Sequence, residues 1–291
     1  MPIHNVPEGN TPGRRVAFQG ELGAYSEDAI RRFFGAAADP VACRDFGAVG
    51  QSVVKGEVDF GLLPIENSLA GSVVASYDVL AALDLVAVGE VVAPIHHLVL
   101  GLPGARLEGI HRILSHPVAL AQCTRFLAEH PAVEAVSYYD TAGAAKAVAE
   151  GGDPSLAAIA GAPAAERYGL SVLASHVEDR PDNQTRFLVV ARSGPVPRLR
   201  RSPAASPSKT SLLIEAANAP GALVRVLLPF ADRGVNLSKL ESRPAEQPWT
   251  YRFFVELEGG AEEAATRDAI AEARPHTASL RVLGSFPRWS A

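Results

Sequence analysis

From Arg15 to Ala191 short apolar runs alternate with longer segments of helical period. Arg15 to Gly20, Asp59 to Ile65, Ile110 to Leu114, Val133 to Tyr138, Leu156 to Ala160, Leu170 to Ala174 and Asn183 to Ala191 all read as strands. Between them lie helical faces, such as Ala29, Ile30, Phe33 and Phe34, or Leu120, Cys123, Phe126 and Leu127. Strands that alternate with helices imply sheets rich in parallel pairs, covered by helices. The pattern divides into two blocks near Gly101, which predicts an α/β unit of two lobes with a cleft between them. A stretch rich in Pro, Ser and Arg, Ser193 to Lys209, cannot bury much apolar surface and reads as a linker. Beyond it the order is βαββαβ, the ferredoxin-like pattern, which by itself says little about function.

Polar residues cluster where strands end and helices begin. Ser26 follows a glycine turn after the first strand, and Glu66, Asn67 and Ser68 leave the strand at Asp59 to Ile65. Ser115-His116-Pro117 and Asp140-Thr141 repeat the arrangement. The free N–H groups of a helix N-terminus attract anions, and open α/β folds take ligands at such strand ends. Ordinary N-capping is an equally good reading of Ser26, Asn67, Ser68, Ser115 and Thr141. The two roles are compatible, because backbone donors remain beyond a cap. The segment Asp182-Asn183-Gln184-Thr185-Arg186-Phe187-Leu188-Val189-Val190 sets an amide, a hydroxyl and a guanidinium at the mouth of a buried strand. Strand alternation points Thr185 and Arg186 to opposite faces.

With a net charge of −5 and a pI near 5.9, a broad attraction for nucleic acid is not expected. Nearly all the basic residues are Arg, which suits bidentate recognition of carboxylates. Cys43 and Cys123 offer neither a disulfide framework nor a zinc spacing. Met1 to Gly13 reads as a disordered arm rather than a secretory signal. No apolar run approaches a membrane span; Glu90, Pro94, His96 and His97 interrupt the best of them. A cytoplasmic protein is the expectation.

Six motifs in order carry a resemblance. They are Phe18-Gln19-Gly20 with Gly23-Ala24-Tyr25-Ser26, Pro64-Ile65-Glu66-Asn67-Ser68, Ser115-His116-Pro117, Asp140-Thr141-Ala142, Asn183-Gln184-Thr185-Arg186-Phe187, and Glu241-Ser242-Arg243-Pro244. Together they resemble prephenate dehydratase with a C-terminal ACT domain, over roughly Arg15 to Pro287. The resemblance implies a two-lobed catalytic domain of periplasmic-binding-protein-like architecture over residues 14–192. Its lobes would be residues 14–100 with 185–192, and residues 101–184. It also implies a linker over 193–209 and an ACT domain over 210–287. The implied reaction is loss of carbon dioxide and water from prephenate to give phenylpyruvate, on the way to phenylalanine. Family members are dimers or tetramers, and their ACT domain binds phenylalanine as an inhibitor. Ala24-Tyr25-Ser26 stands where many bacterial relatives have Thr-Phe-Ser and is similar to the form in plant arogenate dehydratases, so arogenate is a second candidate substrate. A non-catalytic amino-acid-sensing protein is the more distant alternative.

Aromatisation supplies the driving force, so the reaction calls for no redox cofactor and no metal. The resemblance assigns Thr185 the departing ring hydroxyl, a task for which threonine needs electrostatic help. Ser26, Asn67, Ser68, Ser115, Thr141 and Asn183 are the candidate donors to the substrate. Arg186 is either a carboxylate clamp or a structural partner of an acid such as Glu178 or Asp179. Glu66 either orders its loop through a salt bridge or acts as an acid raised by burial. For phenylalanine the candidates are Asn218, Gly221, Ala222 and Leu223 at a helix start, with Glu241 and Ser242 closing the site across a domain interface.

Overall fold

A computed structural model describes residues 13–194 and 208–289. Residues 1–12 of the expected N-terminal arm and residues 195–207 of the expected linker lie outside the described residues. The chain runs β1 (Arg15–Gln19), α1 (Tyr25–Phe34), β2 (Asp39–Cys43), α2 (Phe46–Lys55), β3 (Phe60–Asn67), β4 (Gly71–Ser72), α3 (Val74–Ala82) and β5 (Leu85–Pro94). It continues through β6 (Leu98–Gly101), β7 (Arg112–Ser115), α4 (Pro117–Ala121), α5 (Thr124–Glu129), β8 (Glu134–Ser137), α6 (Thr141–Gly151), β9 (Leu156–Ala160), α7 (Ala162–Tyr168), β10 (Ser171–Ser175) and β11 (Gln184–Arg192). The last part is β12 (Ser208–Ala216), α8 (Ala222–Asp232), β13 (Leu237–Pro244), β14 (Tyr251–Glu258), α9 (Ala264–Ala273) and β15 (Thr277–Pro287).

Three sheets result. The first has the order β2-β1-β3-β11-β5, with β4 paired to β3 at the side. Its strands β1, β2 and β3 are parallel, while β11 runs antiparallel to both neighbours. The second has the order β10-β6-β9-β7-β8. The chain therefore crosses between lobes twice, at 95–97 and at 176–183. The expected division near Gly101 shifts accordingly, because β6 already pairs with β9 in the second sheet. No described helix is long and apolar enough to cross a membrane.

Several local readings change. Helix α1 starts at Tyr25 with Ala24 at the cap position, so Ser26 sits inside the first turn. Glu27 rather than Ser26 takes a free N–H there: its carboxylate accepts from the Gly23 amide at 2.7 Å. Gly71-Ser72 forms a short hairpin strand, and the helix begins only at Val74. The helix expected from Val118 to Glu129 is two, because Asp179 from the second crossing accepts from the amides of Thr124 and Arg125 and so starts a new helix.

The third sheet, β13-β14-β12-β15, is antiparallel, and α8 and α9 cover one face. Its other face lies on the first lobe. Leu213, Phe254, Leu283 and Phe286 share one core with Ala17, Leu63, Leu188 and Val190. Each buried leucine, valine or phenylalanine among them contributes roughly 1.5–3 kcal/mol. Gly284 allows the closest approach: a Cβ there would stand 2.0 Å from the Ala87 carbonyl oxygen of β5. The linker expectation also shortens, since Ser208 and Lys209 already belong to β12.

Candidate active site

Strands β3 and β11 pair so that Asn67 faces Thr185 and Glu66 faces Arg186. Successive side chains of a strand point to opposite faces. One residue pair therefore looks into the cleft, and the other looks at the third sheet. The cleft holds a cavity of about 620 Å³, whose walls include Thr185, Asn67, Ser26, Thr141, His116 and Arg44. Thr185 is nearly buried, at 9% exposure.

The hydrogen bonds at its base fix one another's direction. The Asn67 Oδ1 accepts from the backbone amides of Leu69 and Ala70, at 3.0 and 2.8 Å. Its Nδ2 is therefore the donating end, and its two hydrogens serve Asn183 Oδ1 at 2.8 Å, Thr185 Oγ1 at 3.0 Å and, at the longer distance of 3.2 Å, the Gln184 carbonyl. Asn183 in turn donates from Nδ2 to Gln122 Oε1 at 2.9 Å. Gln122 Oε1 is then an acceptor, so His97, 3.0 Å away through Nε2, carries its proton on that nitrogen. The unprotonated Nδ1 shares the single Tyr25 Oη proton, 2.7 Å away, with the His96 carbonyl, which accepts from the same hydroxyl at 2.9 Å. Burial pushes the His97 pKa down and that of the Tyr25 phenol up, so both groups are neutral at pH 7. Since Thr185 Oγ1 is an acceptor toward Asn67, its own proton is left to point at the cavity.

Helix starts surround the same space. Asp140 caps α6 by accepting from Gly143 at 2.8 Å, and Thr141 follows as the first helical residue. His116 caps α4, its Nδ1 accepting from Val118 at 3.2 Å. Arg44 is the guanidinium on the cavity wall among the described residues, and it pairs with Asp45 at 2.8 Å.

The sequence candidates thus separate. Ser26, Asn67, Thr141 and Thr185 share the cavity. Asn183 stands directly behind it, fully buried. Ser68 is spent on the turn, accepting from the Gln184 amide at 2.9 Å. Ser115 is fully buried and donates to the Ile159 carbonyl at 2.6 Å, so it ties β7 to β9 instead of facing the cleft. Arg186 meets Glu66, Glu90 and Glu256 at 3.3, 3.3 and 2.8 Å. Its partners are these acids and not Glu178 or Asp179, because it faces the third sheet. Glu66 also pairs with Lys239 at 3.0 Å. Burial pulls the Glu66 carboxyl up, but Lys239 and Arg186 outweigh it and hold it below its ordinary value. An acid raised by burial is therefore not what the structure contains at Glu66. Tyr25, His97 and Gln122 are not among the sequence candidates. Tyr25 stands in a quoted motif and His97 breaks an apolar run, whereas Gln122 has no sequence signal.

In the third sheet's domain, Gly221 caps α8 with a φ of 72°, a left-handed conformation that suits glycine, and Ala222 and Leu223 follow it. Asn218 is exposed just before. Glu241 and Ser242 lie on the edge strand β13, Ser242 being exposed. Glu241 accepts from Ser72 Oγ of β4 at 2.5 Å, so in this chain it reaches the first lobe rather than the start of α8.

The prephenate dehydratase family matches residues 16–195, and the ACT domain family matches residues 210–274. Arogenate dehydratase 5, chloroplastic, of Arabidopsis thaliana is 40% identical over 291 residues, which span 94% of this chain and 67% of that protein. A solved structure of prephenate dehydratase in complex with L-Phe, from Arthrobacter aurescens, is 36% identical with a TM-score of 0.85, covering 94% of this chain and 90% of that one. Another solved structure, GqqA, described as a novel type of quorum quenching acylase, is 35% identical with a TM-score of 0.85, covering 95% of this chain and 98% of that one. The first family match takes in both lobes and the cleft between them, and the ACT match follows it in order, so this chain belongs to the prephenate dehydratase family.

Proposed function

We propose that the chain converts prephenate to phenylpyruvate, with Thr185 as the hydrogen-bond donor to the departing oxygen. The observation that carries this is the direction of the Asn67–Thr185 bond, which leaves the threonine proton for the cavity. As the ring carboxylate leaves as carbon dioxide, its bonding pair enters the ring and the C–O bond at the opposite carbon breaks. The departing hydroxide takes a proton through the Thr185 hydroxyl, which solvent in the open cleft restores, and leaves as water. A hydrogen bond that strengthens as charge grows on that oxygen favours the transition state over the bound substrate. Asn67, held by two backbone amides and by Asn183, fixes the threonine, so little reorganisation is needed during reaction. The substrate carboxylates are met by Ser26, by Thr141 with the amides at the start of α6, and by Arg44.

Arogenate is the second substrate reading, favoured by Tyr25 in the first motif and by the 40% identity to an arogenate dehydratase. It carries an ammonium where prephenate carries a ketone. Purified chain assayed on both substrates separates the two. A kcat/KM higher on prephenate supports the first reading, one higher on arogenate transfers the same chemistry to the other substrate, and no turnover on either removes both.

Phenylalanine regulates at the ACT domain in this proposal. Ser72 both lines the cavity and donates to Glu241, so a ligand ammonium that draws Glu241 away releases one wall of the cavity. Glu241→Ala then loses phenylalanine inhibition; inhibition intact in that variant refutes the route. On the family resemblance alone, we place the enzyme as a homodimer or homotetramer.

A further inference from the structure

Behind the cleft, on the far side of His97, three metal-ligating side chains converge: His96, His176 and Glu178. We propose that they form a binding site for one divalent transition-metal ion of the zinc, cobalt or nickel type. This does not depend on the reaction proposed above.

His96 Nδ1 and His176 Nδ1 stand 2.9 and 3.4 Å from the same oxygen, Glu178 Oε1. All three ligand atoms lie within 4.8 Å of one another. Tetrahedral ligands at about 2.0–2.1 Å from zinc are separated by roughly 3.3 Å, so small side-chain rotations bring this set onto one ion. Glu178 is held firmly. Its side chain is 1% exposed, and its other oxygen accepts from the His97 amide at 2.9 Å. That contact fixes the carboxylate and aims Oε1 outward, the support that ligating carboxylates receive elsewhere. The two imidazoles are exposed by 42% and 70%, which leaves an access route and room for a water as fourth ligand.

His176 has a φ of 53°, in the left-handed region that a residue with a Cβ adopts at a cost. That conformation brings its ring to 5.2 Å from the ring of His96, centroid to centroid. Two imidazoles and one carboxylate select a borderline transition metal over calcium or magnesium, which prefer all-oxygen sites.

Position gives the site a consequence. His96 lies on the first crossing between the lobes, and His176 and Glu178 lie on the second. An ion held by all three ties both crossings together, one residue from the His97–Gln122–Asn183 chain that ends at Thr185.

The test uses the full-length chain, stripped with chelator, and Co2+ as the probe. The wild type is expected to bind one equivalent that gives the intense visible bands of tetrahedral cobalt. Saturating Zn2+ is expected to raise Tm by about 3 °C or more, since an ion that binds only the folded chain stabilises it. His176→Asn suits the left-handed backbone and so keeps the fold; His96→Gln is the second variant. Each is expected to weaken the cobalt signal at least tenfold and to abolish the zinc-induced rise in Tm. Unchanged cobalt binding in both variants, or a wild type that shows no such bands and no zinc-induced shift, overturns the proposal.

Discussion

Replacing Arg186 by Met separates two roles for a residue that stands next to Thr185 in sequence and opposite to it in space. Arg186 reaches three carboxylates, Glu66, Glu90 and Glu256. Without it, Lys239 still meets Glu66 and Lys209 still meets Glu90, both at 3.0 Å. Glu256 keeps no ion pair among the described residues, and its side chain is only 7% exposed. Arg186 itself is 14% exposed, so solvent screens this pair little. A buried charge stripped of its partner costs about 3–5 kcal/mol. At about 2–4 °C per kcal/mol for a chain of this size, Tm falls by roughly 6–20 °C. Adding Glu256→Gln removes the stranded charge and is expected to restore at least half of that loss, read by thermal denaturation of the two single variants and the double. Below the new Tm, kcat/KM stays within about tenfold of wild type, because the guanidinium does not touch the cavity. A carboxylate clamp predicts the reverse: Tm unchanged and kcat/KM down by about 10- to 150-fold, the worth of a charged hydrogen bond of 1.5–3 kcal/mol. That outcome, or a double variant no better than the single, refutes the structural role.

Other perturbations probe the same site. Asn67→Asp turns the donor toward Thr185 and Asn183 into an acceptor, and kcat is expected to drop about 10²–10³-fold with KM less affected, as for loss of a positioned donor. Ser115→Ala is expected to cost about 1 kcal/mol in urea unfolding and to leave kcat/KM near wild type, since that hydroxyl serves the Ile159 carbonyl. Because Lys239 and Arg186 hold the Glu66 carboxyl below its ordinary 4.5, its contribution to stability is present above that pH and is lost as pH falls through the lower folded value. Glu66→Gln is therefore expected to flatten the acid limb of Tm against pH below about 4.5, while an unchanged limb removes Glu66 from acid denaturation.

Much of the fold is legible because period and turn chemistry are local. The alternation along Thr185 to Val190 already separates Thr185 from Arg186, and the βαββαβ order stands after residue 208. Asp179 breaking a helix at Cys123 is not legible, because a cap from 55 residues away decides it. The partners of Arg186 escape for the same reason: they come from β3, β5 and β14, and only the stacking of the third sheet brings Glu256 within reach. Ser115 reads as a strand exit, yet β7 still pairs with β9 at its neighbours, so its hydroxyl is spent inside the sheet. The relay through Gln122 and His97 needs side chains from both lobes and both crossings, which no window of sequence contains.

In the proposed reaction the Thr185 hydroxyl donates to the departing oxygen. Steady-state turnover of prephenate by wild type, Thr185→Ser and Thr185→Ala tests it most directly, with folding checked by Tm. Thr185→Ala is expected to lose about 10²–10³-fold in kcat at near-native Tm, and Thr185→Ser, which keeps the hydroxyl, to recover most of it. Turnover by Thr185→Ala within about threefold of wild type contradicts it.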